Sequence, residues 1–344
     1  MSPMGIRMSP FGVAVFCFFG VAIVLYHLYA GVLTGRLAAL RKKDVDLREL
    51  LAASVEAAVL GGKEVKKVRE ENSLKERSKG KTKEGENELL TMGDLLSHRK
   101  MYNLIRNTFP EVTVNSEEHD NMVDQIAVWS RDIPADIVEK IEGGRKVPAE
   151  SVTVWIDPLD ATQEYTENLV KYVTTMVCVA VDGRPVIGVI HQPFTGFTAW
   201  ALVHHGSNMS PRSAYSVSPP KVIVSRSHSG KVKSYIRNAF GNGTTIVEAG
   251  GAGYKVLSLL QMPAGDQDDV DQADVYVHIT FIKKWDICAG AALLTAMGGH
   301  MTSLKGEDID YSETALTTGG LVASVGVDHK SILERLPSWD PNKQ

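Results

Sequence analysis

Residues 152–167 read VTVWIDPLDATQEYTE, and the middle of that run decides what the chain can build around it. The first five residues are strand formers, the run ends at Asp157, and Pro158 keeps Asp157 out of helical backbone, so Asp157 and Asp160 project from a strand end into a turn. Two carboxylates held that close repel by several kcal/mol where the dielectric is low. A hard divalent cation, for which carboxylate and carbonyl oxygens are natural ligands, relieves the repulsion, and Leu159 would then add its backbone carbonyl. A simpler use of the same residues is an Asx-type turn in which Asp157 caps the helix that follows.

Two other acidic features bear on that choice. Glu117-Glu118 follows a short β-like run carrying Val112 and Val114. A second carboxylate pair at the end of a second strand is what a multi-metal phosphoester site requires, although alone it is ordinary surface. Trp285-Asp286 opens the run ICAGAALL, whose small residues allow close packing. Asp286 follows Lys283-Lys284 at a helix N-terminus, where the helix dipole alone would favour a carboxylate by under roughly 1 kcal/mol.

Around these points the pattern is mixed. Residues 45–68 carry apolar side chains at 47, 50, 51, 55, 58 and 59, a helical stripe that Gly61-Gly62 is expected to interrupt. Residues 72–88 hold few apolar groups and read as a solvated loop or a mobile active-site flap. Helical spacing resumes over 92–109 with Leu95, Tyr102, Ile105 and Phe109, and Pro110 stops it. Strand-like runs fall at 172–181, 185–191, 197–203, 221–225, 244–248, 274–280 and 321–325, with Asp182-Gly183 as a hairpin turn. Helical patterns fall at 229–240, 252–261, 285–297 and 328–336. Meandering strands followed by alternating strands and helices make an α+β body of one large domain or two subdomains sharing a cleft.

The 344 residues are 44% hydrophobic and 23% charged, a globular composition. The net charge of −4 is uneven: residues 1–43 hold Arg7, Arg36, Arg41, Lys42 and Lys43 and no acid, so +5 sits there and −9 on the body. An acidic body repels a nucleic-acid polymer but leaves room for one small anion in a basic pocket. Cys17, Cys178 and Cys288 form no CxxC pair, so neither a disulfide framework nor a structural zinc site is expected, and the redox compartment stays open.

DPLDAT at 157–162 and WDICAGAAL at 285–293, in that order and preceded by the acidic pair, resemble the inositol monophosphatase superfamily of lithium-sensitive, magnesium-dependent phosphatases. The resemblance covers residues 45–336 and implies a layered αβαβα sandwich within the α+β class. It implies Glu117, Asp157, the Leu159 carbonyl, Asp160 and Asp286 as ligands of two to three Mg2+ ions. Thr162 and Asp94, in TMGDLL, would orient the attacking water; a hydroxyl at a turn-to-helix junction can also simply cap. SRSHS at 225–229 and AGGAGYK at 249–255 look like the nucleotide-recognising members, which remove the 3′-phosphate of adenosine 3′,5′-bisphosphate to leave 5′-AMP. Ser225, His228, Gly251 and Lys255 are the implied nucleotide contacts. Gly250-Gly251-Ala252-Gly253 before a helix would offer free N–H groups to a phosphate, with Lys255 adding charge. Ala161 stands where the wider family usually has glycine, and Gln163-Glu164 also departs from the inositol phosphatases, which puts inositol phosphates in doubt as main substrates. The acidic segment 264–274 reads as an exposed loop without a role. Family precedent implies a homodimer.

Residues 11–33, FGVAVFCFFGVAIVLYHLYAGVL, contain no charged side chain and are long enough as a helix to cross a hydrocarbon core of roughly 30 Å. One transmembrane helix is expected; a cleaved signal peptide and a buried helix are the alternatives. Tyr26, His27 and Tyr29 suit an interfacial end. The basic residues after the helix favour a cytosolic body. Against that, Asn208-Met209-Ser210 and Asn242-Gly243-Thr244 are glycosylation acceptors only in a secretory lumen. Likeness to Golgi members with lumenal bodies tips the balance to a type II Golgi membrane protein. Residues 1–10 are then cytosolic, 11–33 a signal anchor, 34–44 a basic linker, 45–336 the phosphatase and 337–344 a tail. The implied role is disposal of the sulfotransferase by-product in the Golgi lumen, in support of glycosaminoglycan sulfation.

Overall fold

The structure, a computed structural model, describes residues 9–11, 18–27, 29–30, 43–81, 87–120, 127–227, 231–263, 270–312, 314–317 and 319–339. The chain divides into two units, Met1–Asp44 and Val45–Gln344. In the first, residues 10–11, 18–27 and 29–30 are helical, and Phe18, Phe19, Ile23, Val24 and Leu25 are exposed. The remainder of the expected membrane segment, Cys17 included, lies outside the described residues. Among the described residues no helix is long and apolar enough to cross a membrane.

In the second unit, Asp46 caps helix α1 (Leu47–Glu70) by accepting hydrogen bonds from the N–H groups of Arg48 and Glu49, and Lys67 and Arg69 sit at the opposite dipole end. The helix runs through Gly61-Gly62 without the expected break. A Cβ on Gly61 would lie 2.5 Å from Ser97 Oγ and from Met101 Sδ, and one on Gly62 would meet the His191 ring at the same distance. The glycines therefore mark close approach, and the packing they permit offsets a propensity cost of about 1 kcal/mol each. Where a solvated loop was expected, β1 (Arg77–Lys81) and β2 (Asn87–Leu90) pair as an antiparallel hairpin, with β1 wholly exposed.

Helix α2 (Met92–Thr108) leads to β3 (Thr113–Ser116), β4 (Val152–Asp160), the short α3 (Thr162–Thr166), and then β5 (Thr174–Val181), β6 (Arg184–His191), β7 (Thr198–Leu202) and β8 (Gly206–Ser207). These strands form one sheet in the order β8-β7-β6-β5-β4-β3, antiparallel except for the parallel pair β3/β4. Asp182 and Gly183, with φ of 49° and 75°, make the tight β5–β6 turn.

The second half alternates: β9 (Lys221–Ser225), α4 (Val232–Phe240), β10 (Thr245–Ala249), α5 (Ala252–Leu257), β11 (Val275–His278), α6 (Lys284–Ala296), β12 (His300–Thr302), β13 (Leu321–Ser324) and α7 (His329–Leu333). Its sheet order is β10-β9-β11-β13-β12, with β9 parallel to both neighbours and β13 antiparallel to both of its own.

Side-chain alternation along the strands then dictates the layers. Val154, Ile156, Val177 and Val179 face Leu50, Leu51, Leu104 and Ile105 of α1 and α2. Trp155, Met176 and Cys178 point the other way, into a core shared with Tyr254 of α5, Ile287 and Leu293 of α6, and Ile223, Tyr276 and Ala323 of the second sheet. The far face of that sheet, Val222, Val224, Val275 and Val277, is covered by Tyr235 and Ile236 of α4 and Ile332 of α7. The body is thus a five-layer αβαβα sandwich.

One expectation is overturned inside the middle layer. Cys178 on β5 and Cys288 on α6, 110 residues apart in sequence and fully buried, are joined by a disulfide, with their Cα atoms 5.6 Å apart. Sheet-on-helix packing makes the pair, so spacing along the chain could not reveal it. Full-length chain denatured without reductant should therefore take up alkylating reagent at one cysteine, Cys17, and at three after reduction; mass spectrometry showing three before reduction would count against the bond.

Candidate active site

The parallel pairing of β3 and β4 is what brings the first two carboxylates together. Ser116 pairs with Ile156, and the Glu117 N–H donates to the Ile156 carbonyl at 3.1 Å, so Glu117 leaves its strand beside Asp157. On the other edge of β4 the register with β5 shifts between Asp157 and Asp160, a bulge that lifts the Asp-Pro-Leu-Asp turn out of the ladder. Asp157 Oδ1 accepts from the Leu159 N–H at 3.1 Å, so the Asx turn is present as well as the acidic cluster. Asp286 arrives from the first turn of α6, where its Oδ2 accepts from the Lys283 N–H at 3.0 Å.

Glu117, Asp157 and Asp286 each place one carboxylate oxygen within 4.8 Å of the others. Burial, and then the charge of Glu117, push Asp157 and Asp286 well above the usual carboxylate range. Glu118 is buried beside them and raised by the same two causes. Three convergent carboxylates with only oxygen donors suit a hard divalent cation such as Mg2+ and offer nothing to a thiolate-seeking metal. The site also draws in a cation of the chain's own. Lys79 reaches from the hairpin to within 2.7 Å of Glu117 Oε1 and pairs with Glu118. Sequence reading missed Lys79, because a lysine in a polar stretch gives no sign of where a hairpin will lay it.

Asp160 faces a different set of partners. Its oxygens accept from the N–H groups of Ala252 (3.1 Å) and Gly253 (2.8 Å) and from the Thr174 hydroxyl (3.1 Å). The two N–H groups of the 250–253 segment expected to be free for a phosphate are therefore already taken by Asp160. Gly251 has φ of +63°, and a Cβ there would sit 2.6 Å from the Tyr172 carbonyl and 2.9 Å from Asp160 Oδ2, so only glycine lets this turn close on the carboxylate. Lys255 is buried over the Tyr276 ring, its ammonium 5.5 Å from the ring centre. Burial lowers its pKa, and the charges that oppose this belong to Asp160, Glu164 and Asp286. In this arrangement Lys255 is the counter-charge to the acidic centre.

Asp94 lies at the start of α2 in a reciprocal cap: its Oδ2 accepts from both the N–H and the hydroxyl of Thr91, each at 2.6 Å. That leaves Oδ1 for Thr162, whose Oγ1 is 3.1 Å from it and equally far from the Leu159 carbonyl. Burial raises Asp94 to about 7, with Glu117 and Glu118 adding to the shift. Ala161 between the carboxylate turn and Thr162 is left-handed, at φ 69° and ψ 44°, a conformation that costs a non-glycine residue about 1 kcal/mol.

Of the residues expected to contact the nucleotide, Ser225 is buried at the end of β9 with its hydroxyl 3.2 Å from His278 Nδ1, and Thr280 Oγ1 is 2.8 Å from the other ring nitrogen. Arg226 follows, and its guanidinium ties this strand end to Glu164 of α3 and to Glu167 just past its end. His228 lies outside the described residues. The two glycosylation triplets part company. Asn208 spends its amide on β7, donating to the Thr198 carbonyl at 2.7 Å and accepting from the Trp200 N–H at 2.8 Å. Asn242 stands exposed in the turn after α4.

A five-layer sandwich presenting convergent carboxylates beside a threonine–aspartate dyad defines a metal-dependent phosphoric monoester hydrolase. The chain belongs to the inositol monophosphatase family, whose family model matches residues 46–338. It is 64% identical over 345 residues to inositol monophosphatase 3 of Danio rerio, with all of both chains covered. It is 55% identical over 358 residues to the Golgi-resident adenosine 3′,5′-bisphosphate 3′-phosphatase of Homo sapiens, covering 99% of each. Among solved structures, the extragenic suppressor protein suhB of Bartonella henselae shares the fold at a TM-score of 0.60 and 16% identity, over 83% of this chain and 97% of that one.

The displaced carboxylates make stability depend on pH. Asp94, Asp157 and Asp286 hold protons more tightly folded than unfolded, so each costs stability where it is ionised in the folded chain, and the cost lifts as pH falls, for Asp94 through about 7 and for all three toward the unfolded value of 3.8. Buried His98, His191 and His329, lowered by burial to about 4, act in the opposite sense as pH nears and passes their unfolded value of 6.5, where the unfolded chain gains their protons. Calorimetry of the chain in chelator should show Tm rising by about 2 °C or more from about pH 8.5 to about pH 7, above the range in which the histidines act, with added Mg2+ raising Tm more at the higher pH. A flat or falling Tm over that window would contradict this account.

Proposed function

We propose that the chain hydrolyses the 3′-phosphate of adenosine 3′,5′-bisphosphate to 5′-AMP and phosphate, with two to three Mg2+ ions held by Glu117, Asp157, the Leu159 carbonyl, Asp160 and Asp286. The observation that carries the reaction class is Thr162 Oγ1 at 3.1 Å from Asp94 Oδ1, next to the three convergent carboxylates. The name of the human relative supports the choice of nucleotide. The cations, when bound, screen the phosphoryl charge and lower the pKa of water.

The chain's own groups do the rest. Thr162 donates to Asp94, which leaves the threonine oxygen to accept a hydrogen bond from the attacking water and fix its direction. As the water oxygen forms its bond to phosphorus and the P–O3′ bond breaks, the water's proton passes through Thr162 to Asp94. The departing 3′-oxygen takes its proton from solvent water, and Asp94 returns its own proton to solvent, so the site ends as it began. A carboxyl near 7 suits this work at neutral pH. Ser225, Gly251 and Lys255 would contact the nucleotide, with His228, outside the described residues, as the fourth contact expected from the sequence, and Arg226 keeps the Ser225 strand end in register with the helix that starts at Thr162.

The Danio relative carries an inositol phosphatase name, so an inositol phosphate is the second reading. Mg2+-dependent phosphate release with the bisphosphate and an inositol monophosphate side by side separates the two. Faster turnover of the bisphosphate, 5′-AMP as product, and a loss of about 100-fold or more in Thr162→Ala and Asp94→Asn are expected. Release of 3′-AMP, or variants within a few fold of wild type, would sink the assignment.

For location, the reading is a type II Golgi membrane protein, anchored by residues 11–33, with a lumenal and dimeric body that removes the sulfotransferase by-product and so supports glycosaminoglycan sulfation. Three observations support a lumenal body: the Golgi-resident name of the human relative, the buried Cys178–Cys288 disulfide, which suits an oxidising compartment, and the exposed Asn242 triplet. In cells, Asn242→Gln should remove an endoglycosidase-sensitive increment of mass and Asn208→Gln should not. A chain lacking glycan at both sites, digested by protease from outside sealed microsomes, would place the body in the cytosol.

A further inference from the structure

Helix α2 contributes more to the site than Asp94. Asp94, Ser97 and His98 stand at i, i+3 and i+4, one face of the helix, and all three are buried. Each reaches a different segment of the acidic centre. Asp94 holds Thr162. Ser97 Oγ donates to the Pro158 carbonyl at 2.6 Å, inside the turn between Asp157 and Asp160. His98 Nδ1 is 2.8 Å from the hydroxyl of Ser116, the residue before Glu117. The next residue, Arg99, pairs with Asp120, two positions beyond Glu118.

These bonds bracket the end of the β3/β4 ladder, one at Ser116 in its last pair and one at Pro158 in the turn just beyond it. Ser116 pairs with Ile156, and Glu117 N–H with the Ile156 carbonyl, immediately before Asp157. The imidazole of His98 is itself pinned, stacked on Tyr102 one turn on at 5.2 Å between ring centres. Ser97 can lie so close to α1 because Gly61 has no Cβ. Two segments that repel one another through Glu117 and Asp157 are thus tethered to a single rigid helix.

We infer that His98 and Ser97 are positioning residues that set cation affinity, His98 by fixing the Ser116–Glu117 strand end and Ser97 by fixing the Pro158 peptide. The inference rests on Glu117 and Asp157 as cation ligands. Partners that orient a ligand typically account for 10- to 100-fold in metal affinity.

The test uses the detergent-solubilised full-length chain and Mn2+ as the probe, with free ion followed by electron paramagnetic resonance. His98→Leu keeps bulk but cannot hydrogen-bond, and should weaken Mn2+ binding by about 10-fold or more. His98→Asn presents an amide near the Nδ1 position and should recover most of that loss. Ser116→Ala, a milder change should the leucine variant fail to fold, should match His98→Leu, and the double variant should be no weaker than either single one. A packing role alone would lower the Tm of the metal-free chain in His98→Leu and leave Mn2+ affinity untouched. That result, or an asparagine variant as weak as the leucine one, would overturn the proposal. Asp157→Asn tests the foundation separately: unchanged Mn2+ binding there would remove the cation site itself, whatever His98 does.

Discussion

Repulsion among Glu117, Asp157 and Asp286 is the constraint around which the rest of the body is arranged. Carboxylates whose oxygens lie within 4.8 Å of one another cannot be left to flexible loops, because each would turn outward to water. Every one is instead fastened by backbone: Glu117 through the parallel ladder, Asp157 through its Asx turn and the β4 bulge, and Asp286 through the first turn of α6. The elements that do the fastening come from both sheets' neighbourhoods, so the five layers and the site are one design. Lys79 pairing with Glu117 and Glu118 shows how strongly the cluster attracts positive charge.

Much of the body was legible because local and global signals agree. The run 221–225 is a strand with those bounds, and the patterns at 172–181, 185–191 and 285–297 differ from β5, β6 and α6 by two residues or fewer at either end. Strands buried on both faces read as nearly unbroken apolar stretches, which is how an α+β body could be anticipated, whereas the layered sandwich came from the resemblance carried by the acidic motifs. The order of the acidic motifs carried the centre itself. What stayed hidden depends on tertiary approach. Gly61-Gly62 looked like an interruption since propensity is local, whereas their use is contact with Ser97, Met101 and His191. The hairpin over 77–90 has no apolar alternation on β1 to announce it, every residue there being exposed.

The helix start at Ala252 teaches a similar lesson about polar groups. Backbone N–H groups beside glycines invite an anion, and the anion turns out to be Asp160 of the same chain. The carboxylate turn, the glycine turn and Lys255 form one neutralised unit, in which Gly251 matters for how closely the chain can approach and Lys255 for charge balance under burial. The structure uses Asp94 twice, for the reciprocal cap with Thr91 and for Thr162.

The bond between Cys178 and Cys288 also changes the connectivity of the molecule. It closes a covalent ring out of everything between β5 and α6, and that ring contains Ser225, Gly251 and Lys255, together with the exposed turn that carries Asn242. A protease that cuts once at that turn, or in the exposed stretch at 216–219, opens the ring without parting it, and the pieces stay joined behind the centre. The part of the site that holds Ser225, Gly251 and Lys255 is thereby tied to the part that carries Asp157 and Asp160 by two routes instead of one, the main chain and the sulfur bridge.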